Sequence, residues 1–463
     1  MKRFGLETFF HISSLKRWAL ILCLCMPMSV CAQQEREKTI MLDLQSCISQ
    51  GLQNNLELQI TRNREETAHN NATLANAGAL PSLDASVALR PTLSTLDRVE
   101  SRSTGNVTKN TNVFDRVIDA GVSVSWTIFD GFKIQTNYKQ LQMLEQQGET
   151  STRMVIEDLV ADIASEYYNY IQQQIRSRNY NYAMELSRER MRIARVNYQI
   201  GRFSGLDYHQ AEVDYHADSS SYVRQREAVL ATNIRLNQLM GNKVVNQLIT
   251  IPDTTINVRN DLSYDHLWQK TLSSNSSLLY ANQNTQMAEL DYKKIMSRDY
   301  PYLRLSAEYG YTHTHYDINA TKLRDNLGLS GGLTIGMKLF DGNRRREKRN
   351  AQIAIQNQKL QREQLELNLH ANFATLWQSY RNNIDLLDLQ KKNLEIAKNN
   401  LEIAMERYKL GNLSGFDMRQ IEKNLLDAEE RVLQVEYDAK ICEISLLLIS
   451  GDVINYLTTP VDE

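Results

Sequence analysis

A chain of 463 residues with 53 basic and 55 acidic side chains, formal net charge −2, has no electrostatic signature of nucleic-acid binding. Only 19 Gly and 6 Pro are present, so most of the chain is free to run as continuous helix or strand. No phosphate-binding loop, Ser-His-Asp arrangement, Cys-x-x-Cys pair or zinc spacing occurs, so neither an enzyme nor a cofactor is expected.

Lys16 and Arg17 precede an apolar run over residues 18–28, which is too short to span a bilayer. Val30, Cys31 and Ala32 then offer small residues for cleavage, so residues 1–32 are expected to be a signal peptide. Cys31 is the alternative, as a lipidation site, but Met28, Ser29 and Val30 before it depart from a lipobox. Cys47 and Cys442 would remain in the mature chain, and an oxidising compartment would permit a disulfide between them. No later stretch approaches twenty apolar residues, and no transmembrane helix is expected.

The first structural repeat is expected over residues 33–241. Residues 43–79 read as one uninterrupted helix stopped at Pro81. The period then changes to 2: Leu83, Ala85, Val87 and Leu89 alternate with Asp84, Ser86, Ala88 and Arg90, giving a strand over 82–93. A polar segment over 92–116 reads as a long loop, and a second strand follows over 119–129, with Val122, Val124, Trp126 and Ile128 on one face. Phe129, Asp130 and Gly131 convert strand to helix, Asp130 being placed to act as N-cap. A long helix over 131–200 and a helix over 205–241 complete the half, and residues 242–262 form a linker.

The second repeat, expected over 263–451, keeps that order. A helix over 264–298 ends at Pro301, strands occupy 302–314 and 327–340, and Phe340, Asp341 and Gly342 open a long helix over 342–410. A helix over 415–450 and a tail over 452–463 follow.

Four strands of this length, apolar on one side and small or charged on the other, have the dyad pattern of lipid-facing barrel strands. The charged Asp84, Arg304, Glu308 and Lys338 all fall on the other face. Four strands cannot close, because spanning barrels need about eight or more, so a barrel must be shared between chains. The two long helices hold about seventy residues each without proline, roughly 100 Å of rod. Near the far end of the second, Leu394, Ala397, Leu401, Ala404 and Tyr408 form one seam and Ile396, Ile403 and Leu410 another. The first rod matches it with Met184, Ser187, Met191, Ala194 and Tyr198, and with Leu186, Ile193 and Ile200. A helix with two seams has a neighbour on each side, as a stave in a cylinder does.

The stretch YQIGRFSGLDYHQAE at 198–212 returns as YKLGNLSGFDMRQIE at 408–422, with Tyr198/Tyr408, Gly201/Gly411, Ser204/Ser414, Asp207/Asp417 and Gln210/Gln420 among the identical pairs. Gly201 and Gly411 are placed to end the long helices, and Ser204 and Ser414 to cap the next ones with an acid at N3. Each copy is therefore a helical hairpin tip far from the strands. Asp207 and Asp417 read as first-turn acids favoured by the helix dipole, and symmetry copies at the mouth of a tube would gather them into a ring.

The order helix, Pro, strand, strand, Phe-Asp-Gly, long helix, Tyr-x-x-Gly, helix, present twice, resembles the TolC family of outer membrane efflux and secretion channels over nearly the whole mature chain. The resemblance implies a mainly α chain with a membrane β-barrel. In this arrangement a homotrimer forms a 12-stranded barrel, four strands per chain, continuous with a periplasmic α-helical barrel of long coiled-coil hairpins. It implies an exit channel of a tripartite efflux or type I secretion system. Such a channel is fed passively by an inner membrane RND or ABC-type pump through a periplasmic adaptor (membrane fusion) protein. Outer membrane lipid is a further implied contact. Carried across residue by residue, Tyr198, Gly201, Asp207, Tyr408, Gly411 and Asp417 are implied to form the periplasmic gate. Familiar members have a second acidic constriction one turn beyond; Gln420 stands there, so a second acidic ring is not carried over.

His313 and His315 share a face and suggest either a metal pair or a polar rim where a strand meets its outer loop, the rim being preferred. The run Arg344, Arg345, Arg346, Glu347, Lys348 reads as a solvated helix face or a contact with lipid headgroups. The alternative to a channel is a periplasmic coiled-coil adaptor or scaffold without a barrel. An ordinary diffusion porin has no use for the two long rods.

Overall fold

The computed structural model describes residues 40–100, 105, 107–318 and 321–458. The expected signal peptide at 1–32 lies outside the described residues. In chain order the elements are β1 (Ile40–Met41), α1 (Leu44–Asn54), α2 (Leu56–Asn71), β2 (Ser82–Glu100), β3 (Val107–Asp130), α3 (Lys133–Gln199) and α4 (Gly205–Leu239). They continue with β4 (Ile249–Thr250), α5 (Tyr264–Ser274), α6 (Ser276–Met296), β5 (Tyr302–His315), β6 (Leu323–Gly336), α7 (Arg344–Lys409), α8 (Gly415–Ile449) and α9 (Val453–Thr458).

Strands β2, β3, β5 and β6 form one antiparallel sheet in that order. Register aligns small and acidic residues in rows on one face: Asp84, Ser123, Glu308 and Ser330, and above them Ser86, Gly121, Gly310 and Gly328. The other face carries Val87, Ala120, Tyr311 and Leu327 in one row and Trp126, Leu305 and Leu333 in another. On this face Leu83, Val87, Leu329 and Ile335 are exposed. Both β2 and β6 present an open edge within the chain. Among the described residues no helix is long and apolar enough to cross a membrane.

The expected loop at 92–116 is mostly strand. Thr92 pairs with Asp115, Asp97 with Asn110 and Arg98 with Lys109, so β2 and β3 continue beyond the expected ends at 93 and 119. The apolar alternation stops because Leu93 and Leu96, an odd number of residues apart, fall on opposite faces among polar neighbours, whereas the backbone ladder and the β-branched Thr and Val residues carry pairing on. The last strand is as long as expected but lies four residues earlier, at Leu323–Gly336 in place of 327–340; it ends where Gly336 meets Tyr302, because Pro301 before it has no N–H to extend the ladder.

The helix expected over 43–79 is broken at Asn55, and the one over 264–298 at Asn275. Both asparagines are extended, with ψ of 124° and 120°, and each caps the following helix by accepting from Leu58 N or Leu278 N at 3.1 and 3.0 Å. Each also donates its side-chain amide to the end of a distant helix, Asn55 to Leu239 O at 3.1 Å and Asn275 to Ile449 O at 2.9 Å. The result is a pair of joints where α4 meets α2 and α8 meets α6. Gly241 and Gly451 close these joints; a Cβ there would lie 2.6 Å from Asn54 O and 2.7 Å from Ser274 O. Pro81 does not stop the first helix, which ends at Asn71 with His69 O accepting from Ala72 N; it precedes β2 instead.

The larger core lies where the middle of α3 meets α1, α8, α9 and the linker, with Ile163, Tyr167, Ile171, Leu236, Phe373 and Ile444 inside it. β1 pairs in parallel with β4. The linker is tied down by one repeat position used twice. Asn233 accepts from Ile249 N at 3.0 Å, and its counterpart Glu443 accepts from Arg259 N at 3.1 Å. Cys47 is buried and Cys442 half-buried, and both are free thiols, so the disulfide permitted by the sequence is not formed.

Asn55→Ala removes a cap bond and orphans the Leu239 carbonyl. A loss of about 1–2 kcal/mol is expected. It would be read as a lower melting temperature of the detergent-solubilised protein, and an unchanged melting temperature would contradict the joint's role.

Candidate functional site

The two tips are built alike. Gly201 and Gly411 sit at φ of 76° and 78°, a region that favours glycine, and nothing lies within 4 Å of a Cβ placed there. Backbone bonds from Gly201 N to Tyr198 O and from Arg202 N to Asn197 O close the helix end, and Gly411 and Asn412 repeat them on Tyr408 and Arg407. Ser204 Oγ accepts from Asp207 N at 3.2 Å while Asp207 Oδ2 accepts from Ser204 N at 2.9 Å, a reciprocal capping box. Ser414 accepts from Asp417 N at 3.0 Å. The carboxylates of Asp207 and Asp417 are exposed, as is Gln420, whose amide donates to Asn424 Oδ1 at 2.8 Å.

The tips differ in their tyrosines. Tyr408 is 1% exposed and packs against Phe203 of the other tip, ring centroids 6.1 Å apart. Tyr198 is 49% exposed and stacks on Tyr208. The seams differ likewise. Leu401, Ala404 and Tyr408 are buried, but Ile396, Ile403 and Leu410 on the second line of α7 are exposed. On α3 the counterpart Ile193 is buried, because α8 covers it.

Beneath the tips lies a charged cluster that the motifs did not announce. Arg190 on α3 reaches Asp214 on α4 at 2.8 Å and Glu422 on α8 at 3.2 Å. Arg419 on α8 holds Asp218 on α4 through two bonds of 2.6 and 2.8 Å, and Ser187 on α3 also donates to Asp218. Arg190 and Glu422 are almost wholly buried. The cluster therefore pins the α3–α4 hairpin to α8 inside one chain. Its sequence signal was available: Ser187 and Arg190 put polar residues on the packed side of α3, and Asp214 and Asp218 are spaced i, i+4 on α4.

Burial pushes the Glu422 carboxyl up to about 7, and the attraction of Arg190 and Arg419 only partly offsets it. Neither of its oxygens accepts an aligned hydrogen bond among the described residues, which leaves desolvation dominant.

At the strand-to-helix junctions the duplication is looser. The first turns through the left-handed region at Gly131 and Phe132, so the N-cap is Phe132 and not Asp130. Asp130 still accepts from Ile134 N at 3.0 Å. The rings of Phe129 and Tyr300 meet Phe132 edge-on. In the second junction Asp341 accepts from Asn343 N at 3.1 Å and from Lys338, Asn343 takes the cap position beyond Gly342, and Phe340 is exposed. His313 bonds Asp325 at 2.6 Å, and among the described residues no group of three or more His, Cys, Asp or Glu is arranged for a metal. Within the basic run, Arg344 and Lys348 both pair with Asp299.

A model of a family described as outer membrane efflux protein matches residues 47–242 and 267–452. The fold is similar to the CmeC outer membrane channel of Campylobacter jejuni, with TM-score 0.73 and 15% identity over 89% of this chain and 86% of that one. It is also similar to VceC of Vibrio cholerae, with TM-score 0.69 and 17% identity over 90% and 97% of the two chains. The open state of the MtrE channel of Neisseria gonorrhoeae gives TM-score 0.69 and 15% identity over 89% of each. No curated protein sequence matches the chain.

The folded Glu422 carboxyl holds its proton more tightly than the unfolded one, so its contribution to stability is present at acid pH and is lost as pH rises through about 7. Glu422→Gln should remove that titration. Wild-type melting temperature should fall relative to the variant between pH 5 and pH 8; parallel curves would contradict the assignment.

Proposed function

The chain belongs to the outer membrane efflux protein family, and from that premise we propose that three copies form one exit duct, gated at the α3–α4 and α7–α8 tips. Three four-stranded sheets would close a twelve-stranded barrel, and the rods beneath would form a tube of helices crossing the periplasm.

The observation that carries this reading is the sheet. It has two open edges and an exposed apolar face, which a water-soluble protein would have to cover. A periplasmic scaffold without a barrel has no use for such a sheet. The row of Asp84, Ser123, Glu308 and Ser330 would face a polar bore.

The gate is assigned to Tyr198, Gly201, Asp207, Tyr408, Gly411, Asp417 and Gln420. Exposed aspartates on the two tips would gather six carboxylates in a trimer, narrowing the mouth for anions and attracting cations. An inner membrane pump of RND or ABC type would supply the energy and a periplasmic adaptor would join it to the tips. A groove of ≈610 Å³ supports that docking; Leu186, Leu401, Met405 and Leu425 floor it and Lys398 and Glu402 lie at its rim. A helical partner with an apolar stripe and charged flanks would fit it.

Membranes washed with carbonate should retain the protein until detergent is added; release by carbonate would contradict the barrel. Asp207→Ala with Asp417→Ala should raise single-channel conductance in planar bilayers and weaken block by multivalent cations. If conductance and block both stay as in the wild type, these aspartates do not form the gate.

A further inference from the structure

We propose that the end of the sheet's apolar face furthest from the helices holds the phosphate of a membrane lipid, with Arg116 as its cation. The inference rests on the reading of that face as lipid-facing and names the headgroup chemistry it takes.

The strand register shows where charge stands on this face. Its rows run from Trp126, Leu305 and Leu333 at the helix end to Pro91, Arg116, His315 and Leu323 at the other. Between those rows the side chains are aliphatic, small or tyrosine, apart from His313 and one carboxylate, Asp325. That carboxylate is occupied: it accepts from Tyr311 Oη at 2.6 Å and bonds His313 Nδ1 at 2.6 Å. Arg116 is the one permanently charged cation in the paired rows of the face.

Its height is set by the same register. Ten residues separate Trp126 from Arg116 on β3, ~34 Å of strand, and at a barrel tilt of about 40° this is roughly 26 Å of depth. The apolar band of spanning barrels is about 25 Å tall. Trp126 donates its indole N–H to Ala79 O at 2.9 Å and so marks the interface at the helix end. Arg116 then stands at the opposite interface, level with lipid headgroups.

The chain leaves this arginine without an anion. On the bore face Arg90 pairs with Asp119. Arg116, next to it across the hairpin, is exposed and makes no ion pair among the described residues; its guanidinium lies over the Phe114 ring, 5.8 Å from the centroid. Its cross-strand neighbour His315 keeps Nδ1 out of water with no partner among the described residues. Two polar groups side by side are thus uncompleted where every other charged group of the face is matched.

Leu93, Phe114, Ile118 and Leu323 around Arg116 are exposed and apolar. A guanidinium fork matches two oxygens of a phosphate, and an apolar surround suits acyl chains. A lipid phosphate brings both at once. Free phosphate brings only the anion, and a zwitterionic headgroup opposes Arg116 with a cation of its own. Snorkelling alone would lift Arg116 toward water with no preference among headgroups.

The purified protein in a nonionic detergent is offered dioleoyl phosphatidic acid or dioleoyl phosphatidylcholine in mixed micelles, and retained lipid is counted by native mass spectrometry. The wild type should keep one phosphatidic acid per chain, with affinity about tenfold above phosphatidylcholine, and excess inorganic phosphate should not displace it. Arg116→Gln should lose the preference and Arg116→Lys should keep part of it. Arg345→Gln, in the basic run at the helix end of the sheet, should keep all of it. Equal retention by wild type and Arg116→Gln overturns the site. Displacement by inorganic phosphate assigns it to a free anion and overturns the lipid. Loss with Arg345→Gln but not with Arg116→Gln puts the lipid at the other rim and overturns the place. Release of the protein by carbonate defeats the lipid-facing reading itself, whereas a carbonate-resistant protein with no preference for phosphatidic acid defeats this site alone.

Discussion

Backbone N–H and C=O groups at an open sheet edge have no water to bond in a bilayer, and the whole architecture depends on removing that edge. The chain offers four strands and leaves β2 and β6 each with one unpaired side. Four strands are too few to curl shut, so closure requires sister chains. In the proposed trimer one copy's β6 would lie beside the next copy's β2. The same arrangement would bring α7 and α2 or α4 of adjacent copies within reach and cover their exposed Ile353, Leu360, Ile396 and Val213.

Duplication makes such a ring economical to specify. The two halves share devices that set its shape: left-handed glycines at the tips, asparagine joints at Asn55 and Asn275, and the Asn233 and Glu443 positions that fasten the linker. They diverge elsewhere. The first hairpin, β2 to β3, continues past the end of β5 and β6, and the ion cluster that joins α3 and α4 to α8 through Arg190 and Glu422 is not repeated at the counterpart positions Asn400 and Glu212. In the proposed trimer, divergence of this kind would make junctions within a chain unlike junctions between chains.

What the sequence disclosed was what short-range rules govern. Gly201 with Ser204 and Asp207 is a complete local instruction for ending one helix and starting another, and it reads the same in the fold. Pro81 and Pro301 do precede strands, but the helix breaks at Asn55 and Asn275 carry no glycine or proline. Their determinant is a distant carbonyl, at Leu239 or Ile449, which no local pattern contains. The polar extension of β2 and β3 was hidden for a different reason. Alternation reports that one face is kept apolar, and a stretch whose Leu93 and Leu96 fall on opposite faces gives no such signal. The charged cluster sets the neighbouring helices α3 and α4 against α8, whose Arg419 is 201 residues from Asp218, so local spacing shows the α3 and α4 members but only assembly brings in those of α8.

Hydrogen exchange on the membrane-embedded protein tests the central claim most directly. If copies close the sheet, amides along β2 and β6 within the apolar band will be protected as strongly as those of β3 and β5. Fast exchange at alternate residues of β2 and β6, with β3 and β5 still protected, would show edges left open and contradict the account.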